Sequence, residues 1–187
     1  MSDRWIVFGL GNPGDQYAST RHNAGQMVTN YLASGMKTSS HKSRCEIADI
    51  RVAGSPVTVA KSKLYMNESG APLKALSDFY KVPASQIIVV HDEIDIPFNT
   101  IRLKLGGGDN GHNGLKDITK HFAGPDYYRV RIGVGRPPAP QDPADFVLKP
   151  FSSTEKKALD DFISRGALAV ERLIEKGLEI AQQEFNK

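Results

Sequence analysis

The chain has 187 residues, 40% of them hydrophobic and 24% charged. That length fits one domain with one sizeable core, and no apolar run approaches the ~18 residues of a membrane span, so no membrane-spanning helix is expected. The single cysteine, Cys45, cannot form an internal disulfide and suits a reducing compartment. It reads as an unreactive, half-buried residue. The start, "MSDRWIVFGL", has neither a basic n-region nor a cleavage site and reads as that of a cytosolic protein.

The net charge of +3 is unevenly placed. Residues 37–63 carry six basic side chains, Lys37 among them, against Glu46 and Asp49. Residues 99–136 carry seven against Asp109, Asp117 and Asp126, whereas the segment from Glu155 onward is slightly acidic. Positive charge concentrated in the body of a chain can hold a polyanion, or can be ordinary solvated surface.

In chain order, strands are expected at Trp5–Leu10, Cys45–Val52, Pro56–Lys63, Gln86–His91, Thr100–Leu105 and Tyr127–Val134. "IIVVH" is β-branched on consecutive positions, as in a strand buried on both faces. A first helix is marked by Ala24, Met27, Val28, Tyr31 and Leu32 on one face. A second is capped by Ser69, carries Leu73 and Leu76, and stops before Pro83. A third runs from about Asn113 to Phe122. Ser152-x-x-Glu155 is a capping box with Phe151 as its staple, and opens a long helical segment that Gly166 or Gly177 interrupts. The Pro-rich "RPPAPQDP" is a loop leading to that segment. Interleaved helices and strands predict a single α/β domain over residues 1–187, with a mixed, mostly parallel twisted sheet flanked by helices.

Near the start, "VFGLGNPGDQY" contains Gly9-x-Gly11-x-x-Gly14 after a strand, the spacing of a dinucleotide fingerprint. Two requirements fail. The apolar helical face begins only at Ala24, ten residues after Gly14, and the acidic residue expected about 20 residues on is missing, Asp49 lying 35 residues on. The glycines instead allow a tight exit from the strand and expose Asn12, Tyr17 and His22.

Polar residues gather where strands end: Asn12 after the first, Asn67 in "YMNESG", Asp92 in "VHDEID", and Asn113 beyond the flexible "GGGDNGHNG". A His held by an Asp is a general-base arrangement. Asn amides donate without titrating and can orient a carbonyl or an oxyanion. The set suits water attacking an ester or amide. Neither Gly-x-Ser-x-Gly nor paired zinc-ligand spacing is present; a metal held by His22, His91, Asp92, His112 or His121 is the weaker reading. His91 reads as a structural strand-end residue, and His112 and His121 as surface or helix-end residues.

Six stretches in order, "VFGLGNPGDQYASTRHNAG", "YMNESG", "IIVVHDEIDIPF", "RLKLGGGDNGHNGLKDI", "YRVRIGVGRP" and "DPADFVLKPF", together resemble the bacterial peptidyl-tRNA hydrolases. The resemblance implies hydrolysis of the ester between a peptide, or an N-blocked aminoacyl group, and the 3′-terminal ribose of tRNA, recycling tRNA from prematurely released peptidyl-tRNA. It implies a cytoplasmic monomer that needs no metal or other cofactor and has no membrane partner. The family's base falls on His22, its supporting carboxylate on Asp92, and the residue that discriminates blocked substrates on Asn12. Tyr17, Tyr65, Asn67 and Asn113 fall on substrate-contacting positions, Tyr65 standing where Phe is frequent, and Met66 is expected to line the same cleft. Lys104, Lys116, Arg129 and Arg131 become candidates for tRNA phosphate contacts. Asn110 departs from the family's usual Gly, and the connection around Ser34–Ser40 is short. The other reading is a catalytically silent RNA-binding relative on the same scaffold.

Overall fold

The computed structural model describes residues 3–34, 36 and 38–186. Lys37 of the first basic stretch and Gly35 of the short connection lie outside them. Strands β1 (Trp5–Gly9), β2 (Ser39–Ser40), β3 (Cys45–Val52), β4 (Ser55–Ser62), β5 (Ile87–Glu93), β6 (Ile101–Leu105) and β7 (Tyr128–Gly133) form one sheet in the order β2-β3-β4-β1-β5-β7-β6. The central strands β4, β1, β5 and β7 are parallel, and β2, β3 and β6 add antiparallel flanks. The sheet is therefore mixed, as expected, with its parallel part confined to the centre.

Alternation along β1 sends Ile6 and Phe8 into one core and Val7 into the other. Helices α1 (Ala24–Leu32), α5 (Ser153–Lys176) and α6 (Leu178–Phe185) cover the Val7 face, with Val28, Phe162, Val170 and Ala181 buried there. Helices α2 (Gly70–Tyr80) and α3 (Asn113–His121) cover the other through Leu73, Leu76, Leu115 and Ile118. The chain leaves β1 over one face through α1 and reaches β5 over the other through α2. Its direction thus reverses around β1, and in such sheets a crevice opens at the carboxyl ends of the strands beside the reversal.

Several local expectations change. β5 runs through Asp92 and Glu93 rather than stopping at His91, because its pairing with β7 continues through Asp92↔Ile132 and Glu93↔Gly133. Ser69 occupies the N-cap of α2, but its hydroxyl donates to the Met66 carbonyl and does not cap. The Ser152–Glu155 capping box forms as read. Gly166 does not break α5, since it sits mid-helix where Val28 and Ile132 press close; Gly177, at φ +86°, separates α5 from α6. A short helix α4 (Pro143–Val147), capped by Asp142, follows the Pro-rich loop. Cys45 is fully buried, and burial pushes its thiol up to about 11, which keeps it protonated and unreactive.

Of the fingerprint-like glycines, Gly9 and Gly11 serve close approach, while Gly14, at φ +97° with nothing within 4 Å, serves the turn. A Cβ on Gly9 would stand 2.5 Å from Thr29 Oγ1, and one on Gly25 would stand 2.0 Å from the Val90 carbonyl oxygen. Helix α1 therefore lies directly on β1 and β5, and its preceding turn is held over the strand ends. Gly25→Ala is expected to lower unfolding free energy by about 3 kcal/mol, because the backbone it meets cannot yield. Gly108→Ala, which meets nothing within 4 Å, should stay within about 0.5 kcal/mol of the parent, both variants being measured by urea titration.

Candidate active site

Three segments bring the site residues to the carboxyl edge of the sheet. The exit from β1 carries Asn12. A 3₁₀ turn, Arg21–Asn23, carries His22. The end of β5 carries Asp92.

The His22 turn is pinned from both sides. On one, Arg21 is buried and donates to the Phe146 carbonyl at 3.1 Å and to Glu155 Oε1 at 2.9 Å, its guanidinium lying 3.8 Å from the Phe146 ring centre. Glu155 Oε1 also accepts from the Ser152 amide, so one carboxylate serves the cap of α5 and the turn bearing His22. On the other side, Asn23 makes a two-point contact with the Asn12 backbone. Its Oδ1 accepts from Asn12 N at 2.9 Å and its Nδ2 donates to Asn12 O at 3.0 Å. Neither Arg21 nor Asn23 stood out in the sequence.

Asp92 is 3% exposed and accepts two hydrogen bonds, from His22 Nδ1 at 2.9 Å and from His112 Nε2 at 2.8 Å. Burial alone would raise its pKa; the facing imidazoles outweigh that and hold the carboxyl well below the usual carboxylate range. An ionised Asp92 fixes His22 as the Nδ1–H tautomer, leaving Nε2 to accept a proton. Burial disfavours the charged His22 ring, but the Asp92 charge and hydrogen bond prevail, so its pKa lies above the ordinary value.

His112 is expected from the sequence to be a surface or helix-end residue. It is that, since its Nδ1 accepts from the Gly114 amide and caps α3. That bond also assigns the proton to Nε2, which donates to Asp92. His112 thereby joins the glycine-rich loop to the buried carboxylate, its ring centre 4.9 Å from that of His22. His91 is structural, as expected: burial pushes it down to about 3, and its Nδ1 donates to the Asp92 carbonyl.

The ligating atoms of His22, Asp92 and His112 lie within 4.8 Å of one another, the one such cluster among the described residues. Both close contacts to Asp92 are accounted for by N–H donors, and His112 cannot give up its Nε2 proton without losing its cap. The donor set therefore fits a proton relay better than a cation site.

Asn12 is buried, and its Oδ1 accepts from the Met66 amide at 2.8 Å, which leaves Nδ2 as its one uncommitted donor. Met66 itself belongs to the core, so its side chain does not line the cleft as expected; its amide is what orients Asn12. Tyr17 and Tyr65 meet edge to face at 6.3 Å, with Tyr65 half exposed. Asn67 is exposed on the turn Met66–Glu68, and Asn113 is exposed at the start of α3. A cleft of about 240 Å³ is lined by His22, Asp92, His112 and Asn113 together with the apolar Ile94, Val147 and Leu148.

A second cleft, about 370 Å³, carries Arg102, Lys104 and Arg131 and shares Glu93 and Asn110 with the first. Arg129 does not reach it. Its guanidinium is buried and donates to the Gly107 and Gly108 carbonyls, and so supports the glycine-rich loop. Lys116 is exposed on α3. Asn110, at φ +49°, donates to Glu93 Oε2 at 2.8 Å and to Asp95, tying the loop to the end of β5. Among the described residues no helix is long and apolar enough to cross a membrane.

The family profile for peptidyl-tRNA hydrolase matches residues 6–187. The peptidyl-tRNA hydrolase of Arthrobacter sp. (strain FB24) is 51% identical over all of this chain and 98% of its own length. That of Streptomyces coelicolor is 54% identical, covering 97% of this chain and 94% of its own. The crystal structure of peptidyl-tRNA hydrolase from Acinetobacter baumannii superposes with a TM-score of 0.88 at 35% identity, covering 98% of this chain and 95% of that one. A peptidyl-tRNA hydrolase crystallised with N-propanol gives the same score at 36% identity and the same coverage. With relatives matching from end to end and a fold that superposes on theirs, the chain belongs to the peptidyl-tRNA hydrolase family of enzymes.

Proposed function

We propose that His22 is the general base of a metal-independent hydrolysis of peptidyl-tRNA, in which water cleaves the ester between the peptide and the 3′-terminal ribose. The observation that carries this is the bond from His22 Nδ1 to the buried Asp92 carboxylate, which leaves Nε2 facing the cleft. Nε2 takes a proton from water as the water oxygen attacks the acyl carbon. Asp92 stabilises the resulting imidazolium, and the same proton then passes to the departing ribose oxygen. Asn12 Nδ2, with the amides of Asn67 and Asn113, orients the peptide and its carbonyl; one such donor typically contributes about 2.7–4 kcal/mol to the transition state.

Tyr17 and Tyr65 supply ring surface to the substrate. Lys104 and Arg131 hold tRNA phosphates, a contact that is independent of sequence and sensitive to salt. On this reading the enzyme acts as a monomer in the cytoplasm and returns tRNA to use from peptidyl-tRNA released too early by ribosomes.

His22→Ala should lower kcat on N-acetyl-phenylalanyl-tRNA by about 10²- to 10⁴-fold with little change in tRNA affinity, and the parent rate should be the same with and without a chelator. Normal turnover in the variant, or loss of the parent rate on chelation, would contradict the mechanism.

The base works only when neutral. Because the pKa of His22 is raised above 6.5, kcat/KM should fall on the acid side with a midpoint above 6.5. In Asp92→Asn the burial of His22 is left unopposed, so that midpoint should move to lower pH while the maximal rate drops.

Lys104→Ala and Arg131→Ala should each weaken tRNA binding across tRNA species and reduce the slope of log K against log salt by about 1. Arg129→Ala should act mainly on stability, since it leaves loop carbonyls without their donor.

A further inference from the structure

Helix α2 does not use the cap that its sequence offers. Ser69 stands at the N-cap position with helical backbone angles, and its hydroxyl donates to the Met66 carbonyl at 2.6 Å. The Gly70 amide, the first of the helix, turns to another element: Asp117 Oδ2, on α3, accepts from it at 2.7 Å. A carboxylate at this end satisfies one of the amides that a helix leaves open and suits the positive end of its dipole.

The bond can cross from α3 to α2 because no side chain stands between them. A Cβ on Gly70 would stand 2.4 Å from the Asp117 carbonyl oxygen and 2.3 Å from His121 Nδ1. His121 Nδ1 donates to that carbonyl at 2.8 Å and lies 3.5 Å from Asp117 Oδ2. Asn113, Asp117 and His121 follow at i, i+4 and i+8, which places them along one face of α3. The face that begins with Asn113 therefore also holds the start of α2.

The turn Met66–Glu68 is thereby held at both ends. Before Asn67, the Met66 amide donates to Asn12 Oδ1 at 2.8 Å; after it, the Gly70 amide donates to Asp117. The first turn of α3 presses on the same turn, since a Cβ on Gly114 would stand 2.8 Å from Met66 Sδ. We propose that Asp117 is a positioning residue for the acyl group: by capping α2 from α3 it fixes Asn67 relative to Asn113, so that the two amides grip one peptide together. The inference rests on the proposed function in taking Asn67 and Asn113 as contacts of the acyl part. The base does not depend on Asp117, because other bonds hold His22 and its turn.

The test separates acyl binding from tRNA binding and from the chemical step. Asp117→Ala should raise KM for N-acetyl-phenylalanyl-tRNA about fivefold, the worth of roughly one hydrogen bond. Its kcat and its affinity for deacylated tRNA should stay within about twofold of the parent. Asp117→Asn, whose side-chain oxygen can still accept, should restore the parent KM. Asn67→Ala should raise KM by itself, and adding Asp117→Ala to it should raise KM no further. Ser77→Ala, which removes the Ser77–Val82 bond at the far end of α2, is the stability control and should leave KM unchanged. An unchanged KM in Asp117→Ala beside a raised one in Asn67→Ala would overturn the positioning role and leave the proposed function standing. An unchanged KM in Asn67→Ala would overturn the acyl contact itself, and this proposal with it. Multiplied effects in the double variant, or equal weakening of deacylated tRNA binding by Asp117→Ala, would also overturn it. Hydrogen exchange in the parent protein requires no variant to fold: the Gly70 amide should be protected, and exchange at the free-peptide rate would contradict the anchor.

Discussion

A carboxylate taken out of water has to be met by donors, and at the end of β5 Asp92 is met by two imidazoles. The geometry of the site follows from that requirement. Removing either donor would leave a buried charge half satisfied, which typically costs several kcal/mol. The two donors arrive from distant segments: His22 on the turn before α1, His112 at the head of α3. Asp92 therefore sets the tautomer of His22 and at the same time fastens the glycine-rich loop to the edge of the sheet.

The rest of the molecule holds the two imidazoles in place. The His22 turn is fixed by Arg21 against the Phe146 carbonyl and Glu155, and by Asn23 against the Asn12 backbone. The α1 helix that follows can approach β5 so closely because residue 25 has no side chain. His112 is held by capping α3, and the loop before it is held by Arg129, which donates to its carbonyls, and by Asn110, which bonds Glu93. The loop and turn segments thus reach a common geometry through buried and part-buried polar bonds.

What the sequence made legible was local. The strand run at Ile87, the helical face beginning at Ala24 and the Ser152–Glu155 box each depend on neighbours within a few residues, and each forms. Non-local pairings were not legible. His112 lies 20 residues from Asp92 and reads from the sequence mainly as a surface or helix-end residue, because the path of the loop decides its second bond. Arg129 and Arg131 look alike on one strand, yet loop carbonyls claim the first and the cleft takes the second. Met66 carries the apolar side chain of a cleft residue, but its amide performs the site role and its side chain fills core. The family resemblance supplied His22, Asp92 and Asn12, and the structure adds the buried partners that orient them.

The central claim is the proton inventory around Asp92, and nitrogen-15 NMR of the histidine side chains reads it directly. With Asp92 ionised, neutral His22 should appear as the Nδ1–H tautomer with an unprotonated Nε2, and His112 as the Nε2–H tautomer. A neutral His22 found mainly as the Nε2–H tautomer would contradict the account, since the nitrogen assigned to take the proton from water would already carry one.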